Sequence, residues 1–205
     1  PNNKYSEEAM MMSAEIAYIA KDYARSLEWY KLLKDRASTP ERRQVAATGM
    51  LRSAAMSGNG EETILAATAV LADAKVAPEL ESEARHYRSK ALVEANQLAH
   101  AVADWETLAK DTRNVYGAEA KYRLAQYLFD CGKTKEAEQE VLNYLEVSTP
   151  HAYWLARSFV LLSDIYAKLD RKLEARQYLL SLKQNYQADD DIAGMIESRL
   201  ENLSE

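Results

Sequence analysis

The sequence predicts an all-α chain of five helix–turn–helix pairs and a final capping helix. Three observations carry that prediction. Helix breakers are scarce, with 6 Gly and 4 Pro in 205 residues, so most segments can run helical without the penalty those residues impose. Small residues recur at a near-constant separation. The few breakers that do occur keep the same interval.

The clearest pair lies within Ala118–Pro150, where two amphipathic stretches meet at Gly132. With Ala118 as position 1, Ala125 falls at position 8 and Ala137 at position 20, where two helices of a pair cross closely. Carried along the chain, position 20 becomes Ser26, Thr63, Ala101, Ala137 and Ala175, with separations of 37, 38, 36 and 38. Position 8 becomes Ala14, Leu51, Ser89, Ala125 and Ser163. Position 24 becomes Tyr30, Ala67, Trp105, Val141 and Leu179, and position 27 becomes Leu33, Val70, Leu108, Tyr144 and Leu182. A sustained interval of this length in a helix-forming sequence marks a stacked repeat array.

Pro40, Pro78 and Pro150 fall at the ends of repeats 1, 2 and 4, because the residue before a proline is driven out of the helical region. Gly58 and Gly132 mark the turns within repeats 2 and 4, and Lys21–Asp22, Asn96–Gln97 and Asp170–Arg171 hold that place in the others. The pairs are expected at 6–36, 41–73, 79–110, 117–146 and 151–186, as one domain over 1–205. Ile192, Met195, Ile196, Leu200 and Leu203 have helical spacing and predict the capping helix over 189–203. Asp189, Asp190 and Asp191 precede it, where carboxylates favour a helix N-terminus.

Composition narrows the function classes. With 47% hydrophobic and 28% charged residues the chain can bury a sizeable core. Tyr is abundant at 13 against 2 Phe, which suits half-buried positions where the ring packs and the hydroxyl stays wet. A net charge of −6 argues against nucleic acid as the main partner, which needs a clustered basic surface, and against an anionic membrane surface. No apolar run reaches the roughly 18–20 residues of a membrane span, so no direct membrane insertion is expected. The single Cys131 excludes an internal disulfide. The chain opens on Pro1 without an initiator Met or a secretory signal, and it reads as an excised or processed piece.

The stretches YRLAQYLFDCGKTKEAEQEVLNYL, YIAKDYARSLEWYKLL and SFVLLSDIYAKLDRKLEARQYLLSL resemble tetratricopeptide repeats (TPR), and the in-phase copies extend that resemblance over nearly the whole chain. Repeat 2 departs most, with Leu51, Thr63 and Ala67, and repeat 3 places Arg85 and Arg88 where apolar residues are usual. The interval also exceeds the usual TPR length of about 34, which implies longer turns or helices. The resemblance implies a right-handed superhelical solenoid whose first helices line a concave groove. The last two repeats look like the C-terminal part of long bacterial cell-envelope TPR proteins, which implies a periplasmic or cell-envelope location.

In TPR proteins the groove is fed by positions 2, 5, 6, 9, 12 and 13. Repeat 1 then contributes Glu8, Met11, Met12, Glu15, Tyr18 and Ile19, and repeat 2 Val45, Thr48, Gly49, Arg52, Ala55 and Met56. The Lys, Asn and Arg set with which some TPR modules clamp a chaperone's C-terminal carboxylate has no counterpart in Met11/Glu15, Thr48/Arg52 or His86/Lys90. The resemblance places Arg52 and Lys90 as a small basic spot flanked by Tyr87 and Tyr122, suited to an acidic or aromatic peptide. His86, Gln126, Phe129 and Asp164 complete the candidate set. The implied function is a non-catalytic scaffold that binds a protein or peptide. A structural terminal segment of a longer solenoid, or a groove for a small ligand or cell-wall fragment, are the alternatives.

Other features read as structural. Met10–Met12 suits core packing and contact with a preceding repeat more than a soft binding strip. Trp105 and Trp29 fall in or beside core positions, and Trp154 stands at a helix start, partly exposed. His86, His100 and His151 lack metal-ligand spacing. Cys131 beside Gly132 has no activating neighbour in sequence and reads as a small semi-buried residue. Glu61–Glu62 and Asp189–Asp191 sit at helix starts, as dipole partners. No Ser/His/Asp set or Gly-rich phosphate loop occurs, so neither a reaction nor a cofactor is expected.

Overall fold

The computed structural model describes residues 4–203. Eleven α-helices and no strand occur among them: α1 (Lys4–Ile19), α2 (Tyr23–Arg36), α3 (Pro40–Ser57), α4 (Gly60–Leu71), α5 (Pro78–Glu94), α6 (Leu98–Leu108), α7 (Val115–Asp130), α8 (Thr134–Leu145), α9 (Ala152–Lys168), α10 (Lys172–Asn185) and α11 (Ile192–Asn202). The expected pair boundaries hold to within about two residues. The capping helix starts later than expected, because Asp189–Asp191 stay outside it and Asp190 Oδ1 accepts the Ile192 N–H at 3.0 Å.

All five turns within the pairs share one backbone geometry. Position 15 is left-handed in every copy: Lys21 (φ 61°), Gly58 (72°), Asn96 (58°), Gly132 (77°) and Asp170 (60°). The N–H of that residue donates to the carbonyl three residues back, and the next N–H donates five back. Lys21 thus meets Tyr18 O and Asp22 meets Ala17 O, while Asp170 meets Ala167 O and Arg171 meets Tyr166 O. This is the paired-bond C-terminal cap that satisfies a helix's last carbonyls. Lys21 and Asp170 adopt a conformation that costs an L-residue roughly 1–2 kcal/mol, so the two bonds select the turn more strongly than side-chain preference does.

The connections between pairs differ from these turns. Residues 37–39 make a short first link, and 72–77, 109–114, 146–151 and 186–191 make links of six residues each. The six-residue links account for the long interval in the later repeats, and the 18-residue α3 accounts for it across the short first link. Pro40 and Pro78 are the first residues of α3 and α5, after extended Thr39 and Ala77, where a missing N–H costs nothing. Thr39 also accepts the Arg42 N–H. Pro150 lies two residues before α9.

The chain forms two compact units, Pro1–Asp104 and Trp105–Glu205, divided inside α6. In the first, α1–α2, α2–α3, α3–α4 and α4–α5 pack as neighbours, and α3 also touches α1 and α5. In the second, α7–α8, α8–α9, α9–α10 and α10–α11 do so, and α9 also touches α7 and α11. The cores follow the sequence frame. All twenty residues at positions 8, 20, 24 and 27 are buried, repeats 2 and 3 included. Burying each of the larger ones contributes on the order of 1.5–3 kcal/mol.

Two polar residues bind α1 and α6 into the first unit. Glu7, at 1% exposure, accepts from the Ser38 N–H at 2.9 Å and hydroxyl at 3.2 Å, and Arg42 stands 3.3 Å away. Asp104, equally buried, takes Arg88 through two hydrogen bonds of 2.7 and 2.8 Å and Arg85 at 3.1 Å. The two arginines that break the apolar pattern of repeat 3 are therefore partners of one buried carboxylate. A charge in that position is tolerable only when paired.

Candidate functional site

A cleft of about 430 Å³ opens at the junction of α1, α2 and α3 in the first unit. Its floor is the Tyr30 ring, which lies against α3 at Gly49. A Cβ at Gly49 would fall 2.4 Å from that ring, so only glycine allows the approach. Glu15 and Tyr18 of α1 form one wall, and Gln44, Val45 and Thr48 of α3 form the other. The volume falls within the range of ligand-binding clefts, about 300–1,000 Å³.

Arg52 stands at the rim and is not a free cation. Its Nε and Nη2 donate to the two carboxylate oxygens of Glu83 at 2.7 and 2.8 Å. That bidentate bond raises the guanidinium's pKa above its ordinary value, and it fixes the side chain's orientation. Glu83 reaches back from α5, one repeat later. The Tyr30 phenol is pushed above its usual pKa by burial first and then by the Glu15 carboxylate, with Arg52 acting the other way. The cleft thus offers one exposed carboxylate, two phenols, an amide, a hydroxyl and one exposed apolar side chain.

A smaller cleft of about 200 Å³ lies between the second and third pairs, lined by Met56, Tyr87, Lys90 and Glu94 among others. Tyr87 and Lys90 meet there, and the His86 ring contacts the Tyr87 ring at 5.4 Å. Arg52 lines the first cleft and Lys90 the second, and with Glu83 on Arg52 the two cations do not form a bare basic spot.

In the second unit the same repeat positions are filled by the chain's own side chains. Tyr122 is buried, its hydroxyl donating to Gln126 Oε1 at 3.1 Å and accepting from Arg157 Nη2 at 3.0 Å. Its ring lies 5.6 Å from Trp154, and the Arg157 guanidinium sits 5.1 Å over it, a cation–π arrangement. Gln126 passes its amide N–H on to Asp130. Phe129 is half-buried against the α7–α10 core. Asp164 accepts both Arg199 hydrogen bonds at 2.8 Å, from α11, and Val160 and Leu161 are buried.

The cleft takes six of its eight lining residues from the positions expected in repeats 1 and 2, namely Glu15, Tyr18, Val45, Thr48, Gly49 and Arg52. Tyr30 and Gln44 were not among them. The signal for Tyr30 was Gly49, an isolated glycine inside a helical pattern, which marks a close approach. Cys131 is exposed at the α7 C-terminus, while Trp105 is buried and Trp29 and Trp154 are half-buried. Among the described residues no cluster of His, Cys, Asp and Glu is arranged to hold a metal, and no helix is long and apolar enough to cross a membrane. No protein-family model and no curated protein matches the chain.

Proposed function

We propose that the chain is a right-handed TPR-type solenoid acting as a non-catalytic interaction scaffold, and that it receives a peptide segment of a partner protein in the α1–α2–α3 cleft. The observation that carries this reading is the coincidence of a preformed cleft with six of the positions that feed the groove in TPR proteins. The chemistry of the lining suits a peptide that lays an aromatic or aliphatic side chain over Val45 and Tyr18 and brings a cation to Glu15. Arg52, already paired to Glu83, serves as a rigid rim. The second unit, with its corresponding positions self-filled, serves as support, which is the structural reading applied to half of the chain.

Selection of peptides from a random library on the folded chain tests this. Selected peptides are expected to lose at least about tenfold in affinity to Val45→Glu or Tyr18→Ala, with helical content unchanged by circular dichroism. Peptides that bind these variants as well as the parent chain would place recognition elsewhere.

A further inference from the structure

Tyr30, at the floor of the α1–α2–α3 cleft, is only 8% exposed. The hydroxyl end of its ring stands against α3 at Gly49. That hydroxyl has no hydrogen-bond partner among the described residues, yet it is not sealed from solvent, so it opens on the cleft. A polar group held this deep without a partner is unfavourable, and a ligand that supplies one recovers the cost. Glu15 and Tyr18 of α1 stand in the same cleft, also without hydrogen-bond partners among the described residues. Both act on the phenol: burial first, then Glu15, raise its pKa, Arg52 opposes them, and Tyr18 adds to the rise. The Thr48 hydroxyl is already spent on Gln44 O at 3.0 Å.

Glu83 decides the sign of the ligand's charge. Glu15 and Arg52 are the only ionised side chains lining the cleft. Both carboxylate oxygens of Glu83 are bonded to Arg52, so Glu15 is left as the unpaired charge. A cation finds a free carboxylate there, whereas an anion finds a guanidinium that is already held.

The second unit shows which cation suits such a place. Position 2 of repeat 5 is Arg157, and position 2 of repeat 2 is Val45. The Arg157 guanidinium bonds two tyrosine hydroxyls, Tyr122 at 3.0 Å and Tyr153 at 3.1 Å, and the Asp191 carboxylate at 3.1 Å. The cleft of the first unit offers the same set of acceptors, two tyrosine hydroxyls and a carboxylate, but its own position 2 is apolar. We propose that, within the peptide-binding reading on which this rests, the cleft is specific for an arginine side chain of the partner peptide, with Glu15, Tyr18 and Tyr30 receiving the guanidinium and Glu83 fixing the preference for a cation through Arg52. The arginine stem lies along Val45, as long basic side chains cover apolar surface. Lysine is the poorer ligand, because the planar fork of five donors reaches separate acceptors at once and sheds its hydration more readily than an ammonium.

The probes are Ac-Ala-Arg-Ala-NH2 and its lysine and citrulline counterparts, titrated into the isotope-labelled full chain and followed at the amides of Thr48 and Gly49. The arginine peptide is expected to give saturable shifts there, with citrulline at least about tenfold weaker for want of the charge and lysine at least about threefold weaker. Glu15→Gln should lower the arginine peptide's affinity at least about tenfold, and Tyr30→Phe about threefold. Val45→Arg should abolish binding by filling the place from within, while Val45→Met keeps it within about threefold. Glu83→Gln should weaken the arginine peptide and strengthen Ac-Ala-Glu-Ala-NH2, a reversal that a merely structural role for Glu83 would not produce. Amide spectra verify that each variant is folded. Absence of saturable shifts, citrulline binding as tightly as arginine, or indifference to Glu15→Gln overturns the proposal. Library-selected peptides that respond to Tyr18→Ala but carry no arginine also overturn it and leave the peptide-cleft reading standing, whereas selected peptides indifferent to Tyr18→Ala overturn that reading itself.

Discussion

Ile16 and Ile165 occupy the same repeat position in the first and last pairs, and one is 64% exposed while the other is fully buried. The residue type is identical and the local helix is the same. The difference is that α8 packs against α9 and covers Ile165, while no described element covers Ile16. The two ends of the array also differ in polar chemistry. α9 is tied to α11 by Arg199–Asp164 and to the link before it by Arg157–Asp191, whereas Met12 and Ile16 of α1 stay exposed. In a repeat array stability is shared between a pair's own packing and its interfaces, so the same substitution should carry very different costs at the two ends.

The largest effect is expected from Ile165→Ala, which empties a site between α8 and α9 and should cost about 3 kcal/mol in chemical denaturation. A cost below about 1 kcal/mol would mean that the interior of the second unit is looser than its burial indicates. Arg199→Ala should cost about 1 kcal/mol, since the Asp164 pair is bidentate but part-exposed. A double-mutant cycle with Asp164→Ala should recover most of that as coupling. A near-zero coupling would remove the ion pair from the account of how α11 is held.

A pH effect follows at the same end. Burial first, and then the hydrogen bond to Asp190, push the Tyr186 phenol up to about 12 from an ordinary 10.0. Below pH 10 both folded and unfolded chains keep the proton, so the shift has no influence there. Between pH 10 and about 12 only the unfolded chain releases it, and stability falls as pH rises. Tyr186→Phe should flatten that alkaline decline, measured as denaturation midpoints across the window. An unchanged slope would assign the decline to other tyrosines. The smallest effect is expected from Ile16→Ala, within about 0.5 kcal/mol. A larger loss would show that the exposed stripe already supports the first pair.

Much of the fold was legible. Positions 8, 20, 24 and 27 named the core in all five copies because helical periodicity reports directly which face is covered. The turns were located correctly, but their common conformation was visible only at Gly58 and Gly132. Lys21 carries no such signature, and Asn96 and Asp170 carry a weaker one, since the turn is closed by backbone hydrogen bonds whatever the side chain. Arg85 and Arg88 looked like exceptions for a related reason. A periodic pattern marks what is buried, and it does not show that a long side chain reaches a carboxylate 16 or 19 residues on.

The candidate site was legible in part. The family pattern named six residues of α1 and α3 that line the cleft. It also grouped Tyr122 with exposed residues, although Arg157 and Trp154 enclose it, and it left Arg52 without Glu83. Both misses concern partners one repeat away in sequence, where the next repeat's long or aromatic side chains decide whether a given position faces water.

The uniform left-handed turns have a consequence for how such a chain can change in length. Each turn is closed by two hydrogen bonds whose spacing counts residues, so one inserted residue after Asp170 would separate Arg171 from Tyr166 O and misdirect α10. The six-residue links between pairs lack this shared left-handed turn, and their backbone hydrogen bonds differ from one link to the next. Loops, tags or longer insertions belong at 72–77, 109–114 or 146–151, where the chain can be lengthened while each hairpin stays whole.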